Sequence, residues 1–412
     1  MPAPAEAPDE RWVVFSHSGF VRYWISRIAA AFGVQVLSVA VGWHVYDITR
    51  NPFDLGMVGL VQFLPSLLLV LATGAVADRY RRRTIMALCL TVEGLCAAAL
   101  LLFLMEDVRD VRLIFAVLAV FGTARAFYTP AAQSLLPNLV PPEHLASAIA
   151  WNSSSNQIAN IAGPVAGGLL YGLAGEAAFA SALALFVGAG VLVRFIPRLG
   201  QRRTPEPVSW EALSAGFRYI WREKVVLGAM SLDLFAVLLG GAKALMPIYA
   251  RDILDLGPGG LGLLRAAPGV GAILMAVWLA THPIRDHAGL KMFLFVGLFG
   301  LFVTIFGFSV VPWLSILALL FMGAADMVSV YIRQTLVQLW TPDSVRGRVN
   351  AVNAVFIGAS NELGEFRAGV MAALIGTKAA VALGGMGTMA VAGLWAWAFP
   401  ELRRARHLSG RV

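Results

Sequence analysis

Several charged residues interrupt long apolar segments of this chain, and they are the side chains most able to do chemistry. They are Glu93, Arg125, Asp233, Lys243, Arg265, Asp326, Glu362, Glu365 and Arg367. A charge at the centre of a membrane-spanning helix costs about 2.5–3.5 kcal/mol on insertion scales, so each marks a candidate functional position. A carboxylate there can take up and release a proton, and an arginine or lysine can bind an anion.

No signature of enzymatic chemistry accompanies these charges. The sequence has no G-x-x-x-x-G-K-[ST] loop to hold nucleotide phosphates. It also lacks a Ser/His/Asp or metal-ligand spacing that would indicate a catalytic centre. We therefore predict that the protein is not an enzyme and uses no cofactor and no metal.

The apolar segments identify the class of protein. Of the 412 residues, 58% are hydrophobic and 14% are charged, and the mean hydropathy is +0.74. Soluble domains have roughly 25% charged residues, so a soluble protein is excluded. A spanning helix needs about 20 apolar residues. The sequence predicts an all-α membrane protein with twelve spans, near 25–46, 56–77, 84–105, 112–133, 145–173, 177–196, 225–249, 260–281, 290–310, 313–333, 348–375 and 379–399.

The positive charge sets the predicted orientation. Lys and Arg concentrate in alternate connections between the spans, and such clusters mark the cytoplasmic side. Both termini are therefore predicted to be cytoplasmic. The net charge of +8 is explained by this topology, so we predict no binding to nucleic acid.

A long polar connection divides the predicted chain into two six-helix halves. The predicted parts are an N-tail (1–24), a first bundle (25–196), a linker (197–224), a second bundle (225–399) and a C-tail (400–412). The linker is predicted to end in an amphipathic helix at the membrane surface. Its apolar face would carry Trp210, Leu213, Phe217, Ile220 and Trp221, with Arg218 and Arg222 off that face.

An internal repeat supports two related halves. A shift of 201 positions aligns identical residues, such as Asn152 with Asn353 and Gly163 with Gly364. The same shift aligns Arg125 with Asp326. A parallel repeat of half the chain length is typical of two-bundle transporters.

One loop carries a motif of the major facilitator superfamily. Residues 74–83 read GAVADRYRRR and resemble the superfamily signature G-x-x-x-D-R-x-G-R-R, with Arg81 where the family has Gly. The resemblance implies a gate built from Gly74, Asp78, Arg79, Arg82 and Arg83, in which Gly74 permits close helix approach. The simpler alternative is that these arginines only anchor the loop in the cytoplasm.

A second motif lies on the fifth predicted span. Gly163, Pro164, Gly167 and Gly168 resemble the G-x-x-x-G-P-x-x-G-G motif of antiporters in this superfamily, with Ala159 in place of the first Gly. The resemblance favours export. The alternative reading is plain close packing of small residues.

Further segments narrow the resemblance to one efflux branch. The stretches 46–56, 130–137 and 346–350 resemble the branch of enterobactin exporters and macrolide efflux pumps. This resemblance implies an exporter in the bacterial inner membrane that moves a bulky amphipathic molecule, a siderophore or a macrolide-type drug, by proton antiport. Its expected partners are a small-molecule substrate, protons and the lipid bilayer, and a monomer is expected. Alternatives are a lipid or lysolipid flippase, or a non-transporting receptor or scaffold.

The same fold resemblance selects the candidate site residues. It implies that helices one, four, seven and ten line a central cavity, which selects Arg125, Asp233, Lys243 and Asp326 as candidates for binding and proton coupling. Arg125 and Asp326 would face one another at mid-membrane, either as a coupling pair or as a static ion pair. Glu93 is predicted to serve mainly as a helix-contact residue.

Overall fold

The computed structural model describes residues 12–197, 210–284 and 286–405. This part of the chain is helical and contains no strand. The principal helices are α1 (Ser18–Thr49), α2 (Pro52–Leu68), α3 (Val70–Arg79), α4 (Arg82–Met105), α5 (Val111–Leu135), α6 (Leu145–Leu173), α7 (Gly175–Arg194), α8 (Trp210–Arg222), α9 (Lys224–Gly240), α10 (Gly257–Thr281), α11 (Ala288–Phe308), α12 (Pro312–Trp340), α13 (Asp343–Ile375), α14 (Thr377–Ala398) and α15 (Pro400–Arg404). Short 3-10 turns cover Val13–Ser16, Leu136–Asn138, Pro142–His144 and Lys243–Leu245.

Within the described residues, 9 helical segments are long and apolar enough to cross a membrane. Three predicted spans fall outside that set for identifiable reasons. The span at 56–77 is divided between α2 and α3 at Leu69. The spans at 145–173 and 348–375 lie on α6 and α13, whose sequences carry more polar residues. The chain is therefore a helical multi-pass membrane protein, and the count of twelve spans stays a prediction.

The chain divides into two compact units. The first comprises Met1–Ala40 and Leu64–Pro207, and the second comprises Val41–Phe63 and Val208–Val412. The predicted bundles instead assign residues 41–63 to the first half. These residues belong to the second unit because they pack closely on it: a Cβ placed on Gly369 of α13 would lie 2.8 Å from Gly56 Cα.

Helix α9 ends inside a predicted span, which places Lys243 in irregular backbone. After Gly240 the chain passes through Gly241 and Ala242, a 3-10 turn and a π-helical turn at Tyr249–Ile253. Gly241 is pressed against α13, since a Cβ there would lie 2.9 Å from the carbonyl carbon of Gly364. Only glycine tolerates such an approach between backbones.

The amphipathic linker helix forms as α8, but one residue of its predicted apolar face packs inside the protein and does not lie at the surface. Ile220 is 1% exposed and packs with Val349 and Val352 of α13. Phe217 and Trp221 are exposed and stack on one another at 6.0 Å. The apolar residues thus serve two surfaces, because one side of α8 packs on α13. Ser209 and the preceding linker residues, together with the side chains of Trp210 and Leu213, lie outside the described part of the structure.

Candidate functional site

Arg125 forms an ion pair with a buried carboxylate in the first unit. It lies on α5 with 29% of its side chain exposed, and its Nη1 is 3.8 Å from Glu93 Oε1 on α4. Glu93 is fully buried, and neither of its oxygens accepts a hydrogen bond from the described residues. Glu93 thus contributes a buried charge as well as a contact between helices, which is more than the sequence predicted for it.

A second arginine joins this cluster, and the sequence analysis missed it. The Arg27 guanidinium on α1 lies 5.5 Å from the centroid of the Tyr128 ring, and the Arg125 guanidinium lies 5.2 Å from the same centroid. Tyr128 is completely buried. Arg27 lies near the start of the first predicted span, where an arginine is easily assigned to topology. No local spacing in the sequence links Arg27 on α1 to Arg125 or Tyr128 on α5.

In the second unit, Asp233 is paired with an arginine that the sequence analysis also missed. Arg333 Nε on α12 lies 3.3 Å from Asp233 Oδ1 on α9, and Arg333 Nη1 donates a hydrogen bond of 3.1 Å to Asn353 Oδ1. The Arg333 side chain is 3% exposed. Arg333 follows Asp326 by seven residues, a spacing of two helical turns that places both on one face of α12.

Asp326 belongs to the same cluster. It is partly exposed and interacts electrostatically with both Asp233 and Arg333. Among the described residues, two carboxylates thus lie near one guanidinium, and Asp233 forms the ion pair with it. The first unit has the opposite balance, since the two guanidinium groups of Arg27 and Arg125 face the single carboxylate of Glu93. Arg125 and Asp326 lie in different units, and their predicted pairing stays a prediction.

Lys243 lies apart from Asp233 in sequence and environment. It is exposed and interacts electrostatically with Glu362 of α13, which also interacts electrostatically with Glu365. Arg367 binds elsewhere, because its Nη2 donates a hydrogen bond of 2.5 Å to the Leu239 carbonyl at the end of α9. A cation at the carbonyl end of a helix is electrostatically favourable. Lys243 thus lies within the interruption that follows α9, and Arg367 binds the helix end just before it.

The arginines of the predicted gate motif bind the ends of helices. Arg82 Nη1 donates a hydrogen bond of 2.7 Å to the Ser134 carbonyl near the end of α5, and Arg83 Nη1 donates one of 2.5 Å to the Ile196 carbonyl just after α7. Arg79 is exposed. The Asp78 side chain lies outside the described part of the structure.

A Cβ placed on Gly74 would meet no heavy atom of the described residues within 4 Å, and the helix contact expected there stays a prediction. A close approach occurs at the antiporter-like motif of α6. There, a Cβ on Gly163 would lie 2.6 Å from Gln35 Cβ, and one on Gly167 would lie 2.9 Å from Val36 Cα.

Pro164 and Gly168 are buried in the same helix. Beside them, Gln35 Nε2 donates a hydrogen bond of 2.6 Å to Asn160 Oδ1. The motif therefore joins α6 to α1 by small residues and one polar bridge. This contact is the close packing that the sequence offered as the simpler reading, and any role in antiport stays a prediction.

A further charged cluster was not predicted. The Tyr46 hydroxyl donates a hydrogen bond to Asp252, Arg251 Nη1 lies 2.5 Å from Asp47 Oδ1, and Arg50 Nη1 lies 3.6 Å from Asp252 Oδ1. All five residues belong to the second unit. The sequence placed Tyr46 and Asp47 only in a family motif, and no local spacing links them to residues some 200 positions away. This cluster fastens the end of α1 to the π-helical turn.

Comparison with known proteins agrees with the motif-based resemblance. A family model described as transmembrane secretion effector matches residues 10–407. The chain is 25% identical over 406 residues to the enterobactin exporter EntS of Escherichia coli O1:K1, covering 96% of this chain and 95% of that protein. It is 24% identical over 404 residues to EntS of Shigella boydii serotype 18, with the same coverage of 96% and 95%.

Solved transporter structures share the fold. A bacterial homologue of the lysosomal transporter Spinster, inward-facing and occupied, has a TM-score of 0.71 at 14% identity, covering 97% of each chain. An inward-facing bacterial homologue of the iron transporter ferroportin has a TM-score of 0.68 at 15% identity, covering 94% of this chain and 98% of the other. At these identities the likeness concerns the fold alone.

Proposed function

Because the chain belongs to the transmembrane secretion effector family of major facilitator transporters, we propose that it is a secondary active exporter of the bacterial inner membrane. It moves a bulky amphipathic molecule outward by alternating access, coupled to the inward movement of protons. The observation that carries the proposal is the similarity to the enterobactin exporters along 96% of the chain. The proposal includes twelve spanning helices and cytoplasmic termini, as the distribution of basic residues predicts.

The acidic cluster of the second unit is the proposed proton site. Asp233 and Asp326 share the single guanidinium of Arg333, so one negative charge has no compensating cation within this cluster. An uncompensated charge inside a membrane protein is costly, and binding one proton removes it. A proton can therefore occupy this cluster without breaking the buried pair between Asp233 and Arg333.

The proposed substrate is an amphipathic small molecule of the siderophore or macrolide class. The similarity to proteins named as enterobactin exporters supports a siderophore first. The cationic balance of Arg27, Arg125 and Glu93 in the first unit supports a substrate that carries acidic groups. We therefore take enterobactin as the first transport probe and a macrolide as the second.

The test is transport into inside-out proteoliposomes under an imposed pH gradient that is acidic in the lumen. We expect the purified protein to accumulate enterobactin in the lumen, and to stop when the gradient is collapsed with a protonophore. Gradient-independent accumulation, or none of either probe, would contradict the proposal.

The coupling residues are tested in the same vesicles with Asp233→Asn and Asp326→Asn. Each substitution removes a carboxylate that can carry a proton, so gradient-driven accumulation should fall about tenfold or more, as for loss of a general acid–base group. The matched control is Asp107→Asn, because Asp107 is 76% exposed and pairs with Arg109 beside it. Full retention of driven transport in both cluster variants would remove the acidic cluster from the mechanism.

A further inference from the structure

We infer that Arg27, Arg125 and Tyr128 form a subsite in the first unit that binds a planar oxyanion of the substrate, such as a carboxylate on an aromatic ring. The inference rests on the proposed function for the identity of the molecule as a substrate. Neither the gate motif nor the antiporter-like motif includes Arg27 or Tyr128, so the inference adds two residues to the proposed site. It also specifies the chemical class of the bound group.

The local charge favours binding of an anion. Two guanidinium groups lie at one tyrosine ring, and the carboxylate that the structure brings within ion-pair distance is Glu93. Among the described residues, no carboxylate lies within 4.0 Å of Arg27. The subsite therefore has an excess of one positive charge, which a singly charged anion would neutralise.

The geometry of the pair between Arg125 and Glu93 leaves hydrogen-bond donors for a ligand. Their closest atoms are 3.8 Å apart, which is longer than the 2.7–2.9 Å of a charge-assisted hydrogen bond. A guanidinium has five N–H donors in one plane, and two of them can bind both oxygens of one carboxylate. Because Glu93 does not engage these donors in hydrogen bonds, Arg125 can offer them to a second acceptor.

The Arg125 side chain combines access with a buried support. It is 29% exposed, whereas Glu93 and the Tyr128 ring are fully buried. Part of this side chain is therefore accessible to a ligand above a buried base. The buried ring fixes both cations through cation–π contacts, so the donors are held in place before an anion binds.

Glu93 has a defined role in this subsite. It competes with an incoming anion for Arg125, so it lowers the affinity of the subsite and favours release. This role predicts that neutralising Glu93 strengthens anion binding, whereas neutralising either arginine weakens it. A purely structural role for all three residues would weaken binding in every case.

The test is equilibrium binding of two matched probes, 2-naphthoate and the uncharged 2-naphthamide, to the purified full-length protein in nanodiscs. We expect the wild-type protein to bind naphthoate about tenfold or more tightly than naphthamide, the ratio that one charge-assisted hydrogen bond supplies. Arg27→Gln and Arg125→Gln should abolish this ratio, and Glu93→Gln should increase it several-fold. Arg112→Gln is the matched control, since Arg112 is exposed on α5 and should keep the wild-type ratio.

The inference is overturned if the wild-type protein binds both probes equally or binds neither. It is also overturned if both arginine variants keep the preference. Arg27→Lys and Arg125→Lys retain the charge and guard against misfolding, and they should keep part of the ratio. A preference for the anion without gradient-driven transport in proteoliposomes would support the subsite and refute the proposed exporter function. Gradient-driven transport without a preference for the anion would support the exporter function and refute the subsite.

Discussion

The two units bury charged clusters of opposite balance. The first unit holds two guanidinium groups against one carboxylate, through Arg27, Arg125 and Glu93, and the second holds two carboxylates against the guanidinium of Arg333. The internal repeat aligns Arg125 with Asp326, so the same position of the repeat carries opposite charges. The two copies of the repeat therefore carry charge excesses of opposite sign.

The two clusters also differ in how tightly their ion pairs are made. Asp233 and Arg333 are separated by 3.3 Å, and Arg333 is almost completely buried. Glu93 and Arg125 are separated by 3.8 Å, and Arg125 is partly exposed. A close buried pair resists exchange of partners, whereas a loose and accessible one permits it. This difference favours ligand exchange in the first unit and retention of the ion pair in the second.

The largest expected effect comes from breaking the tighter pair. Arg333→Gln leaves Asp233 buried without its cation, which should destabilise the protein by about 3–5 kcal/mol. Arg125→Gln should cost clearly less, because its pair with Glu93 is longer and Arg27 still faces the buried Glu93 carboxylate. Thermal unfolding of the two variants in the same detergent measures the comparison. Equal losses of stability would refute the distinction between a fixed and an exchangeable pair.

The second comparison concerns glycines that the repeat aligns. A Cβ on Gly364 would lie 2.8 Å from the Val237 carbonyl oxygen, and one on Gly163 would lie 2.6 Å from Gln35 Cβ. The backbone holds both of these atoms in place, since the position of a Cβ does not change with the side-chain rotamer. Gly364→Ala and Gly163→Ala should therefore each cost about 1–3 kcal/mol by overpacking.

Gly172→Ala on α6 is the control for this pair. A Cβ there would meet no described heavy atom within 4 Å, so the substitution should be neutral or slightly stabilising through helix propensity. Unfolding midpoints of the three variants provide the measurement. A neutral result at Gly163 or Gly364 would show that the helices at that position can move apart to admit a methyl group.

Much of this fold is predictable from sequence because membrane helices must satisfy their backbone hydrogen bonds internally. The apolar runs therefore gave most of the helices, and the motif at Gly163 and Gly167 located a close helix contact. Partners within the clusters were less predictable. Arg27 and Arg333 lie near the ends of predicted spans, where the same residue type also serves topology. Only the packing of helices distant in sequence distinguishes the two roles.

A glycine in a helix is compatible with close packing but does not require it, so the helix contact expected at Gly74 stays a prediction. The interruption after Gly240 was missed because it depends on contacts distant in sequence. The sequence from Lys224 to Ile253 is apolar enough to be one span, and the contact of Gly241 with Gly364 depends on α13, more than a hundred residues away.

The smallest expected effect concerns the helix ends of the first unit. Arg82 is 4% exposed and binds the Ser134 carbonyl at 2.7 Å, so Arg82→Gln should destabilise the protein by about 1–2 kcal/mol, as for a partly buried cation at a helix C-terminus. Arg81→Gln removes the same charge from an exposed neighbour and should change the unfolding midpoint little. If the two variants were equally mild, Arg82 would be an orientation signal like the other cytoplasmic arginines. In the second unit the start of α11 is held differently, because the backbone N–H of Gly289 donates to the Ala405 carbonyl. A loss of stability at Arg82 alone would show that, in the first unit, an arginine side chain of the gate motif holds a helix end instead.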